Sequence, residues 1–219
     1  MEEGLKEEVR EAVSAGRNVQ ETVRQITLKA LKDRELDHGA LGRVTGEVLS
    51  AVREAGEARG DAGGPELTRS MREAVDGLDQ ALATAAQAMR LSLEEAVQRV
   101  AQFSKEDLAR ARRELADVER LYLDSLRDAA RSARGTAAQV LEDFARHARA
   151  SGTAVGRQLQ RTSPLAGSLA HAARVQFEAG VGAAAASGAM LARVASGVLA
   201  GLADALSAQQ RAQRRDPPR

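Results

Sequence analysis

Three histidines, His38, His147 and His171, are the side chains of this sequence most suited to proton transfer or metal binding. Asp143 and His147 come closest to the spacing that aims two ligands from one helix face. A single pair at that spacing reads as a surface hydrogen bond rather than a metal site. There is no cysteine, which removes disulfides, thiol catalysis and thiolate metal sites together. The glycine cluster in GDAGG has neither the preceding strand nor the following lysine of a phosphate-binding loop. SGTAVG, residues 151–156, lacks both the pattern and the strand of a serine nucleophile elbow. The residues therefore predict a non-enzymatic protein with no cofactor, no metal and no small-molecule substrate.

The arginines allow little more. Arg110, Arg112 and Arg113 are interleaved with Glu106, Asp107, Glu114 and Asp117, which cancels the field a phosphate backbone would need. With aromatics at 2% there are no stacking platforms for bases, so no specific nucleic acid is expected. Charge is nonetheless uneven along the chain. Residues 131–219 hold 12 Lys and Arg against five Asp and Glu, although the whole chain carries only +1. An anionic interface would attract such a half, and so would the acidic half of the same chain or of a second copy.

The elements that position these residues are helices. The apolar 43% is mostly Ala, Val and Leu, which suits helices packed closely through alanine better than a compact α/β core. Leu5, Val9 and Val13 step by fours. Asn18 and Glu21 form a capping-box pattern before Val19, Val23, Ile26 and Ala30, and Asp37 can cap a helix carrying Leu41, Val44, Val48 and Val52. These predict a small two- or three-helix unit over 1–57, closed by a Gly-rich linker over 58–64. Leu67, Met71, Val75, Leu78, Leu82, Ala85, Met89, Leu93, Ala96, Val100 and Phe103 then keep the helical period of about 3.6. Ser104 and Asp107 predict a new start, with a kink or a reversal there, followed by the row Leu108, Ala111, Leu115, Val118, Tyr122, Leu126 and Ala129. Gly135, Gly152 and Gly156 interrupt the next helix, and Pro164 opens the last. The expected architecture is all-α, with long amphipathic antiparallel helices over 65–209, bundle or coiled-coil-like, and a basic disordered tail over 210–219.

The last helix contains the least polar stretch, residues 179–203, with Arg193 as its one charge. A membrane span is disfavoured, because six strong apolar residues at roughly −0.3 to −0.6 kcal/mol each are cancelled by one central arginine at roughly +2.5 to +3.5 kcal/mol. Val181, Leu191, Val194, Val198, Leu202 and Leu206 fall on one side and are the expected stripe for contact with a surface or partner. Ala184 with Gly188, and Gly197 with Gly201, would let another helix approach closely. Arg211, Arg214, Arg215 and Arg219 make the tail basic. The N-terminal MEEGLKEEVREAV has none of the character of a secretory signal, so a cytoplasmic protein is expected, peripheral at a membrane or granule surface.

VRQITLKALKDRELD (23–37), ARHARASGTAVGR (145–157) and ASGVLAGLADAL (195–206) resemble an uncharacterised proteobacterial family of alanine-rich helical proteins, a domain of unknown function. That resemblance implies an all-helical protein and no particular activity. In composition and helix pattern the chain is also similar to phasins, the amphipathic helical proteins that coat polyhydroxyalkanoate granules. Together with the residues, this predicts reversible coverage of an apolar or anionic surface, lipid or polymer granule. The alternative is a self-associating structural or adaptor bundle, a homo-oligomer whose stripes face other helices.

Overall fold

The computed structural model describes residues 2–32, 34–98, 105–160 and 192–204, and every regular element among them is helical. Helix α1, Glu2–Ala15, buries Leu5, Val9 and Val13. It ends at Gly16, whose N–H reaches back to the Ala12 carbonyl at 3.3 Å. Asn18 starts α2, Val19–Lys32, through its carbonyl, which accepts from the Thr22 N–H at 2.9 Å. Helix α3, His38–Arg59, begins at Asp37, whose extended backbone lets its carboxylate accept from the Ala40 N–H at 2.6 Å. Gly60 and Gly64 then take φ of +51° and +55°, conformations open mainly to glycine. They turn the chain through one 3-10 turn, Gly60–Gly63, into α4, Gly64–Gln98. The glycine-rich stretch 58–64 is thus the end of α3 and a tight corner.

At 35 residues, α4 is about 52 Å long and forms the axis of the molecule. Its row from Leu67 to Ala96 is buried at every step. Helix α5, Lys105–Ser132, returns along it. Leu93 and Ala96 pack with Leu108, while the Tyr122 hydroxyl lies 3.5 Å from the Val75 carbonyl, so the two helices are antiparallel and the chain reverses between them. Helices α6, Gly135–Ser151, and α7, Ala154–Gln160, complete the layer against α4 and α5.

Alanine and glycine decide how closely these helices meet. A Cβ on Gly77 of α4 would lie 2.2 Å from the Gln20 carbonyl oxygen and 3.2 Å from the Arg24 nitrogen, so the backbone of α2 rests directly on α4. Ala74, Ala81, Ala85 and Ala88 are fully buried around it. One apolar cluster runs from Leu5 through α2, α3, α4, α5 and α6 to Leu199. The apolar rows of α1 to α5 therefore face one another inside a single chain. The three N-terminal helices supply the counterparts that the rows of α4 and α5 need.

Candidate functional site

The stretch singled out for contact is described over 192–204, which is helical. Val181, Leu191, Leu206, Ala184, Gly188 and the tail arginines Arg211, Arg214, Arg215 and Arg219 lie outside the described residues. Within 192–204 the buried side chains are Ala192, Ala195 and Leu199, one position along from the expected 191, 194, 198. One position is about 100° of rotation. Val194, Val198 and Leu202 are half-buried, and Val198, Leu202 and Ala203 pack at the edge of the same core. The physical reason is steric: alanines at 192 and 195 let the helix sit close on Leu36, Met89 and Leu93, leaving only a cavity of about 30 Å³ among them. A valine row turned inward would hold it farther away.

Polar contacts fix that rotation. The Leu36 N–H donates to the Ala192 carbonyl at 3.3 Å, and the Ser196 hydroxyl donates to the Arg34 carbonyl. Arg193 Nε meets Glu35 Oε1 at 2.8 Å, and Lys32 Nζ meets Asp204 Oδ1 at 3.2 Å. Both ion pairs are solvent-exposed and contribute roughly 0–1 kcal/mol each. Burial of Leu199 contributes roughly 1.5–3 kcal/mol and each alanine methyl roughly 0.8 kcal/mol. The segment is held by a few kcal/mol, over residues far apart in sequence. Gly197 and Gly201 face outward, and a Cβ on either would meet nothing within 4 Å. Their close packing is made with no described part of this chain.

A second cluster escaped the reading of motifs. Asp79 is 8% exposed in the middle of α4, and its two oxygens accept from consecutive amides of α7, Ala154 N at 2.6 Å and Val155 N at 3.1 Å. Thr153 donates its hydroxyl to Glu119 Oε1 at 2.7 Å and accepts from the Gly156 N–H at 2.7 Å. The first turn of α7 is thereby capped by its own threonine and by a carboxylate 75 residues away. Burial raises the Asp79 carboxyl above its ordinary range, the two amides and Arg157 oppose that, and Glu119 adds to it. Burial also pushes the Tyr122 hydroxyl well above its usual value, with Asp79 and Asp76 assisting. Both Asp79 oxygens are engaged, so this carboxylate holds a helix end. One signal in the sequence pointed to it: Asp79 stands four residues after Val75 and three before Leu82, a charge within the apolar row.

His147 and Asp143 do not bond each other across their turn. Asp143 pairs with Arg146 at 3.0 Å, and His147 Nδ1 lies 3.5 Å from the Ser151 hydroxyl. Both residues border an open groove of about 600 Å³ between α4 and α6, with Arg72 and Phe144. Among the described residues no three potential ligands gather for a metal, and no helix is long and apolar enough to cross a membrane.

The fold and these contacts define a class, an all-helical bundle closed around an alanine-rich core. Within that class the chain belongs to a Family of unknown function (DUF6781), which it matches over residues 1–208. No curated protein and no solved structure matches it.

Proposed function

We propose that this is a non-enzymatic helical protein that attaches peripherally and reversibly to an apolar or anionic surface, a membrane or a polymer granule in the manner of phasins, inside the cytoplasm. The observation that supports the reading is the distribution of apolar sequence. The rows of α1 to α5 are consumed in one core. By composition, the uncharged run 179–191 and the basic stretch with Arg211, Arg214, Arg215 and Arg219 suit an apolar and anionic counterpart. The bundle is then a body, and the C-terminal quarter its means of attachment.

Flotation of the full chain with anionic vesicles, and separately with polyhydroxyalkanoate particles, tests this. Binding to either that weakens when the four tail arginines become glutamine is the expected result. Protein that stays in the soluble fraction with both refutes the reading. Self-association is the second reading, favoured by the outward glycine face of 192–204, where Gly197 and Gly201 leave open space beside a helix. Light scattering on a size-exclusion column separates a stoichiometric oligomer from a monomer.

A further inference from the structure

We infer that the groove between α1 and α2 binds a small anionic amphiphile, the carboxylate of one short acyl chain. Gly4, Leu5 and Glu8 share one side of α1, and Ile26, Lys29 and Ala30 share one side of α2, because residues three and four apart return to the same face. Between them lies a cavity of about 260 Å³, which Arg34 also lines. Its floor is apolar. Val19 and Val23 of the α2 row are fully buried, whereas the next steps, Ile26 and Ala30, are covered only in part and pack at the edge of the main core with Leu5. Gly4 adds room, since a Cβ there would meet nothing within 4 Å. Hydrocarbon displaces water from such a floor favourably. The charges around it are unequally matched. Lys29 Nζ meets Glu8 Oε1 at 3.5 Å. The Arg34 guanidinium has no hydrogen bond or ion pair among the described residues, yet its backbone is held on both sides: its N–H donates to the Leu31 carbonyl at 3.2 Å and its carbonyl accepts from the Ser196 hydroxyl. One uncommitted cation thus stands on a fixed piece of chain beside an apolar floor. A guanidinium fork matches a carboxylate, and Glu8 in the same groove opposes the second charge of a phosphate monoester. Size selects as well. The cavity is smaller than the roughly 300–1,000 Å³ of sites for drug-sized ligands, so one short chain fits and a two-chain lipid does not.

A bundle that attaches to no surface would still bind this ligand. Calorimetric titration of the full chain with octanoate, below its micelle-forming concentration, tests the site. One saturable site per chain is expected, with octanol, the same chain length without the charge, bound at least tenfold more weakly. Arg34→Gln is expected to weaken octanoate binding at least fivefold by removing the cation. Gly4→Leu, whose side chain enters the open space of the groove, is expected to weaken it at least fivefold by occupying the site. Both variants are compared at wild-type helicity. Absence of saturable binding overturns the inference, and so does a smaller change than fivefold in either variant. Octyl phosphate bound more tightly than octanoate overturns the carboxylate assignment. Arg72→Gln, in the groove between α4 and α6, is expected to leave octanoate binding unchanged; an equal loss there reveals attraction to charge in general and overturns the site. Amide shifts of the unaltered chain, read by two-dimensional NMR, give a test that needs no variant: octanoate is expected to move Gly4, Leu5, Ile26 and Ala30, and movement confined to other residues overturns the assignment.

Discussion

Asp79→Ala isolates the cap that joins α4 to α7. The native carboxylate satisfies two amides of the first turn of α7, which have no partners inside that helix. Val155 is fully buried, so its amide loses its partner with no access to water, at a cost of about 1–3 kcal/mol. Ala154 is half-buried, and solvent replaces part of what its amide loses, leaving about 1 kcal/mol. Against this, removing a carboxylate that burial holds above its ordinary pKa relieves part of its desolvation cost. The net loss at pH 7 is about 1–3 kcal/mol, or roughly 3–10 °C in the unfolding midpoint for a chain of this size. Asp79→Asn keeps one acceptor oxygen and turns an amide N–H toward the other donor, so it falls between wild type and Asp79→Ala. Urea unfolding followed by far-UV circular dichroism reads the global effect, and hydrogen exchange at residues 154–156 reads the local one. An Asp79→Ala chain with an unchanged midpoint and unchanged protection at 154–156 would refute the capping argument.

Further outcomes follow from the same geometry. Asp76, Asp79 and Glu114 all have carboxyls raised by desolvation, so the folded chain takes up their protons at higher pH than the unfolded chain does. Their contribution is fully present below the unfolded values near 4 and is lost as pH rises through the folded ones; wild type minus the Asp76→Asn/Asp79→Asn/Glu114→Gln variant should show that slope in stability between pH 4 and 7. Gly77→Ala gains about 1 kcal/mol of helix propensity but drives a Cβ to 2.2 Å from the Gln20 carbonyl, so a net loss of about 1–2 kcal/mol is expected in urea titration. Gly46→Ala, where a Cβ meets nothing within 4 Å, is expected to gain up to about 1 kcal/mol in the same assay. Leu199→Glu should raise tryptic cleavage after Arg193 about tenfold or more while the midpoint of the main unfolding transition stays nearly unchanged, since Leu199 closes the contact of 192–204 and α2 to α5 pack without it.

Much of the architecture is written in spacing. The row from Leu67 to Ala96 can be read as one helix because a residue every three or four positions returns to the same side whatever packs there. Asp37 as a helix start is equally local, since its carboxylate needs only the amide three residues on. The role of Asp79 was partly legible, as a charge where the row demands an apolar residue, but its partners at 154 and 155 were not, because they depend on where α7 is laid down.

What the sequence by itself determined is that this chain is helical, where its helices run, and which residues must leave water. Only the tertiary structure decided what covers them. A helical period fixes a face but names no counterpart, so the rows of α4 and α5 could as well have met a granule as the first three helices. Segment 192–204 carries the same lesson at finer scale. Its periodicity allowed several inward faces, and the approach permitted by Ala192 and Ala195, with Ser196 bonded to the Arg34 carbonyl, selected one of them.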